Sequence, residues 1–163
     1  MWIGSKTDCT EIICPEYNPD WISGEFTVLG IKFNPNLVNI EKLNYNDKIK
    51  TIENEITHWN RRNLSPLGKI TVVKSLLLPK LTHLFLSLPK PPLEIIKNLE
   101  QIFFRFIWNN KKDRVSRKLL VQPIDKGGCS MLDIEIFIKG LKLTWIRRIL
   151  RDNKSNKWIS LFF

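Results

Sequence analysis

The sequence predicts a mainly α-helical chain with a small β-hairpin at its N-terminal end. Three observations carry that expectation. From Tyr45 onward apolar residues recur at helical spacing, whereas the two β-like runs lie within the first 33 residues. Pro66 and Pro92 stand where periodic segments begin, a position at which proline is tolerated because its missing N–H would be unpaired anyway.

The elements follow in order. "MWIGS" and "FTVLGIKF" (26–33) are rich in Phe, Val, Ile and Trp and read as strands. Between them "CPEYNPDWISGE" reads as a loop, and Pro35 in "FNPN" ends the strand region because it cannot donate to a ladder. Tyr45, Ile49, Ile52, Ile56 and Trp59 form one stripe of an amphipathic helix. Ser65 can cap a helix that starts at Pro66 and runs to about Leu88, with a kink expected at Pro79. A third helix opens at Pro92, with Ile95, Ile96, Leu99, Ile102, Phe103, Phe106 and Ile107 on one wide face. "NNKKDRVSRK" (109–118) is a basic connector, "LLVQP" a short apolar segment and "DKGG" a turn. Asp133 can cap a last helix over 134–151, and "KWISLFF" offers a final truncated turn. Both ends of the chain read as cut.

Composition narrows the function classes. At 163 residues, 43% hydrophobic and 10% aromatic, the chain can bury a real core and is not generally disordered. Residues 1–57 hold five cations and nine acids, net −4, whereas 58–163 hold 21 and seven, net +14. That asymmetry points to an anionic partner for the basic body, with nucleic acid first; the plainer reading is a solvated, highly charged surface. Cys9, Cys14 and Cys129, with His58 and His83, match neither a disulfide framework nor a zinc spacing. The longest apolar run (76–89) is interrupted by Pro79 and Lys80 and is too short for a bilayer. The expectation is an intracellular protein, cytoplasmic or nuclear, with no membrane partner and an oligomeric state the sequence leaves open.

The basic residues can be placed on helical wheels at about 100° per residue. With Lys69 at zero, Ile70, Val73, Leu77, Leu81, Leu84, Phe85 and Leu88 fall on one apolar arc. Lys80 and Ser87 fall beside Lys69, and Thr71, Ser75 and Thr82 on a hydroxyl-bearing face. Lys74 falls inside the apolar arc, so it either snorkels or reaches through a gap to a phosphate. On the last helix Ile134, Ile138, Leu141, Trp145 and Ile149 form one stripe and Ile136, Leu143, Ile146 and Leu150 another. Between them run Gly140, Thr144, Arg147, Arg148 and Arg151, either a phosphate-binding strip or a solvated face between packed flanks. Trp59 and Trp145 sit on stripes and are expected in the core.

Independent catalysis has no support in these residues. Two-metal phosphoryl transfer needs convergent carboxylates, but of Asp8, Asp20, Asp47, Asp113, Asp125, Asp133 and Asp152 none is adjacent to another, none sits in a convincing strand and most fall in loops or caps. No Walker-type loop, nucleophile elbow or His-Glu-x-x-His is present.

The order of segments resembles the C-terminal part of a LINE-type (non-LTR) retrotransposon reverse transcriptase. The resemblance rests on "MWIGS", "FTVLGIKF", a spacer with Tyr45 and Trp59, "RNLSPLGKITVVKSLLLPKLTHLFLSLP" and "FFRFIWNNKKDRVSRKLLVQPIDKGGCSMLDIEIFIKGLKLTWIRR", and it covers essentially the whole chain. It implies a palm remnant over 1–36, thumb-like helices over 43–110, and a connector with a C-terminal helix over 111–163. "LGIKF" (Leu29, Gly30, Ile31, Lys32, Phe33) matches the primer grip, which supports a primer's 3′ end. "SPLGKITVVK" would turn Lys69 and Lys74 toward a template–primer duplex of RNA and DNA. The family's catalytic aspartates, which use Mg²⁺, match nothing here; no cofactor is expected for this fragment and no polymerase activity on its own. Cys129 stands where the family usually has Leu or Ile. The expected residual capability is sequence-independent nucleic-acid contact through Arg61, Arg62, Lys69, Lys74, Lys111, Lys112, Arg114, Arg117, Lys118, Arg147 and Arg148. The alternative is a structural relic that neither folds nor acts alone.

Overall fold

Helix α1 (Ile40–Asn60) forms one wall of a helical bundle, and a bent element lies against it. In this computed structural model, which describes residues 24–35, 37 and 39–151, the bent element comprises α2 (Pro66–Val72), a wide π-type turn (Val73–Leu77) and α3 (Pro79–Ser87). Helix α4 (Leu93–Ile107) packs on α1 and α2. A short α5 (Arg117–Val121) and a 3₁₀ turn (Ile124–Lys126) lead to α6 (Ile134–Arg151), whose first half packs on α3 and α4. Before the helices stand strands β1 (Phe26–Val28) and β2 (Ile31–Phe33). The "MWIGS" run, the loop up to Ser23, Cys9 and Cys14, "KWISLFF", and the side chains of Ile149, Leu150 and Arg151 lie outside the described residues.

The run 26–33 is not one strand, as its composition suggested, but a complete hairpin. The pairs Phe26↔Phe33, Thr27↔Lys32 and Val28↔Ile31 leave a two-residue turn at Leu29–Gly30. Both turn residues take positive φ (50° and 78°), the geometry that matches the twist of the flanking strands. Leucine is a poor residue for it, so the sequence carried no Asn-Gly signal. The Phe26 and Phe33 rings stack at 5.5 Å. The amide of Lys32 donates to Asn44 Oδ1 at 2.8 Å, and Asn44 Nδ2 donates to the Lys32 carbonyl at 2.9 Å. The buried Asn44 side chain thus completes the outer edge of β2 as a neighbouring strand would.

The helices begin and end for local reasons. Ser65 Oγ accepts from the Gly68 amide ahead of Pro66, and Asp133 Oδ1 accepts from the Ile136 amide, so both expected caps are present. At the end of α4 the Asn110 amide reaches back to the Arg105 carbonyl and the Asn109 amide to the Phe106 carbonyl, with both asparagines at positive φ. This left-handed termination suits Asn-Asn after an apolar helix. Gly128 is required by close approach: a Cβ there would lie 2.0 Å from the Gln122 carbonyl oxygen.

Between Pro66 and Ser87 the buried face changes phase. Up to the first residue of the wide turn the buried residues are Lys69, Ile70, Val72 and Val73; from its last residue on they are Leu77, Leu78, Leu81, Leu84, Phe85 and Leu88. On an undisturbed wheel those two sets are centred about 100° apart, the rotation of one residue. The turn absorbs that residue through a Leu78 N–H to Val73 carbonyl bond of 2.9 Å, five positions apart. The loosened turn also accommodates Pro79, which lacks an N–H and crowds the carbonyl four residues back, and the axis bends by 45°. Lys74, which an unbroken wheel puts inside the apolar arc, is exposed in the first register. For the same reason Lys69 and Lys80 do not share a face: Lys69 is buried, whereas Lys80 is exposed and paired with Glu55.

One apolar core runs from Ile31 of the hairpin to Ile138 of α6. All seven residues of the expected α4 face are buried, and so is Phe104, which the stripe had omitted. Trp59 is half-buried against the core. Trp145, expected inside, is 48% exposed because α6 continues past the elements it packs on. The second stripe of α6 is likewise open: Ile136, Leu143 and Ile146 are 65%, 60% and 53% exposed.

Tyr45 is fully buried beside Phe85, at 5.8 Å between ring centroids, and its hydroxyl has no hydrogen-bond partner. Burial pushes its pKa well above the usual phenol value. An unpaired buried hydroxyl costs free energy that phenylalanine would avoid at nearly unchanged ring packing. Tyr45→Phe is therefore expected to stabilise the chain by about 1 kcal/mol, read as a higher urea midpoint; a lower midpoint would contradict the orphan hydroxyl.

Candidate nucleic-acid interface

Ten of the eleven sequence-predicted cations separate into three groups, and Lys74 stands apart. The first is organised by Lys69, which was expected to face a ligand and instead is 1% exposed. Its ammonium donates to the Phe106 carbonyl at 2.9 Å, to Asn60 Oδ1 at 3.2 Å and to Asn109 Oδ1, and lies 4.7 Å from the Phe106 ring centroid. Asn60 ends α1 and Asn109 follows α4, so one side chain ties both helix C-termini to the start of α2. Two helix ends with partial negative charge, and three acceptors, are what allow a cation to be buried there. Burial still pushes its pKa below the ordinary lysine value.

This knot fixes where its chain neighbours emerge. Arg61 and Arg62 directly follow Asn60, and Lys111 and Lys112 follow Asn109 and Asn110; all four are exposed. They meet at the end of the bundle where α1 and α4 terminate. The Arg62 guanidinium lies over the Trp59 ring at 4.5 Å, which holds its plane while leaving its edge N–H groups open. Arg114 continues the same exposed connector.

The second group, Arg117 and Lys118, is exposed but is set against a cleft beside α4. Arg117 donates to Asp113 at 2.9 Å and lies 4.5 Å from the Phe104 ring centroid. Arg117 and Lys118 line a cleft of about 270 Å³ with Glu100, Phe103, Phe104, Met131 and Asp133 among its walls. Arg117 covers the Phe104 ring while its own side chain stays 46% exposed, which helps to bury that ring off the main stripe. Burial first, and the neighbouring Asp133 carboxylate second, hold the Glu100 pKa above its usual value.

The third group, Arg147 and Arg148, is far from the first. Lys142 donates to the Leu88 carbonyl at 2.7 Å, which places that part of α6 beside the segment entering the N-terminus of α4. Arg61 and Lys111 lie at the other end of α4, a 15-residue helix and therefore roughly 20 Å away along its axis. Arg148 lies 5.4 Å from the Trp145 ring centroid. The strip from Gly140 to Arg148 is exposed, but only one of its flanks is packed.

The remaining predicted positions are placed as follows. Lys74 is exposed on the wide turn, five residues beyond Lys69. The hydroxyls of Thr71 and Ser75 donate to their own helix, at 3.1 Å to Leu67 and 2.6 Å to Thr71, and are not held out for a ligand. In the primer-grip-like stretch Leu29 is 87% exposed at the hairpin tip, Ile31 is buried in the core, and Phe33 stacks on Phe26. Lys32 is engaged, its ammonium 2.5 Å from Asp47. Among the described residues no three His, Cys, Asp or Glu side chains gather into a set that could hold a metal ion. No single described helix is long and apolar enough to cross a membrane.

The Lys69 knot was invisible in the sequence because its acceptors lie nine, 37 and 40 residues away. The only trace was the Asn-Asn pair after α4. No family model matches this chain.

Two outcomes follow from this geometry. Lys69→Met keeps the stem's bulk but strands its acceptors, and should cost about 2–4 kcal/mol in chemical denaturation. Glu100→Gln should raise the thermal midpoint at pH 7. The native carboxyl has a raised pKa, so its charged form burdens the folded state at pH 7; the advantage of glutamine should vanish once pH falls below 4.5, the unperturbed value.

Proposed function

We propose that this chain is a thumb-like fragment of a non-LTR retrotransposon reverse transcriptase, retaining sequence-independent contact with a nucleic-acid duplex and no polymerase activity of its own. The observation that supports the reading is the set of four exposed cations, Arg61, Arg62, Lys111 and Lys112, gathered at one end of the bundle by the buried Lys69. Their backbones leave two helix ends that are tied together, so their spacing is held by the fold. Arginine and lysine heads on a fixed frame suit phosphate oxygens, which repeat along any strand whatever its bases.

The chemistry of such a surface is positioning. It can hold a duplex or RNA backbone and neutralise its charge, and it carries no nucleophile or metal-ligand set. The order of segments that resembles the retrotransposon family supports the RNA template and DNA primer as the natural ligand. Arg117 and Lys118, though exposed, stand apart from these four, since Arg117 lies over the Phe104 ring and both line the cleft. Arg147 and Arg148 would meet a duplex only if it extended along the whole bundle.

The test is the salt dependence of binding to a labelled RNA–DNA duplex. Four phosphate contacts predict a slope of log affinity on log salt of about −2.8 to −3.6. Replacing Arg61 and Lys111 by Ala should reduce that slope by about 1.4–1.8 and weaken binding equally across sequences. A slope near zero, or affinity that follows base sequence, would refute the reading. Mg²⁺-dependent primer extension by the purified chain would refute its non-enzymatic part.

A further inference from the structure

Helix α6 carries two apolar faces, and the bundle uses one. Ile134 and Ile138 are buried and Leu141 packs partly against the core. Ile136, Leu143 and Ile146 lie on the other side of the helix, more than half exposed. At about 100° per residue those three span an arc of only about 80°, and their spacings of seven and three residues repeat a coiled-coil seam. A seam that narrow is what one further helix covers; a bilayer surface takes a wider apolar face.

The charges around the seam say what kind of helix fits. Lys139 lies within it, Arg147 on its edge and Lys142 beside it, and from Ile136 to Arg151 there is no acidic residue. A second copy of α6 would bring mainly cations against cations, since the one acid on that helix, Glu135, is already shared between Lys90 and Lys139. Nucleic acid would satisfy the cations but has no ridge to fill the aliphatic stripe. We propose that the outer face of α6, Ile136, Leu143 and Ile146 with Lys139 and Arg147, is a docking surface for an acidic amphipathic helix of a partner protein. The partner's aliphatic side chains interleave with the three exposed ones, and its carboxylates pair with Lys139 and Arg147. Lys139 now leans on Glu135 of its own helix at 3.3 Å, a surface contact it can exchange at little cost.

The proposal is independent of duplex binding, and the experiment keeps them apart. The probe is a fluorescent helical peptide of about three heptads, with Leu at the seam positions and Glu at the flanks. The whole chain should bind it, and should not bind the same peptide with Lys at the flanks. The double variant Leu143→Glu, Ile146→Glu should weaken peptide binding at least tenfold while duplex binding and the denaturation midpoint stay unchanged. Ile136→Glu provides a second variant should the double one fail to fold. Peptide binding that neither variant weakens would overturn the proposal. So would a chain dimer in sedimentation that the variants dissociate, or variant-sensitive binding to phosphatidylserine vesicles with none to the acidic peptide.

Discussion

The bundle depends on one extra residue in one turn. Helices α2 and α3 must both present apolar side chains to α1 and α4, but their sequence faces are out of phase by one position. An uninterrupted α-helix from Pro66 to Ser87 would have set Val72, or else Leu78 and Phe85, toward water. The wide turn at Val73–Leu77 rotates the second face into line, and Pro79 makes the straight alternative unfavourable by removing a donor and crowding a carbonyl. The bend that results lets α3 receive α6 while α2 keeps its contact with α4.

The buried Lys69 is the polar counterpart of that apolar adjustment. A cation in a core ordinarily costs several kcal/mol in desolvation. Here the cost is offset by the place where it is buried, against the C-terminal ends of two helices, where unpaired carbonyls already concentrate negative potential. The same arrangement places four of the exposed cations at that end, since Arg61, Arg62, Lys111 and Lys112 all follow helix termini. A residue that the sequence offered as a ligand contact thus becomes the reason its neighbours are in position.

Much of the fold was legible because it rests on local rules. The stripe from Tyr45 to Trp59, the caps at Ser65 and Asp133, the wide face of α4 and the kink at Pro79 all follow from period, capping and backbone chemistry. What was not legible depends on partners distant in sequence or on a broken period. A wheel drawn at constant pitch cannot show a slip, so Lys74 fell in the wrong arc and Lys69 appeared polar-facing. Trp145 and the second stripe of α6 read as core because periodicity reports amphipathicity, not whether an opposing element exists. The hairpin turn at Leu29–Gly30 was masked by an apolar residue in a conformation that usually selects Asn or Gly. Of the interface, charge asymmetry marked the basic body, and tertiary contacts alone sorted its cations into three places.

The Asn44 side chain has a consequence for how the hairpin meets α1. It recognises both polar groups of a single residue, the N–H and the carbonyl of Lys32. Sliding the strand by one position would send Ile31 to solvent and bring a lysine head into the core, with Asn44 facing a residue whose amide points the other way. The amide therefore acts as an alignment key, making the attachment of strand to helix single-valued. Because the key sits on Lys32 and not at the tip, Leu29 can give way to any residue that accepts its positive φ without shifting the frame behind it.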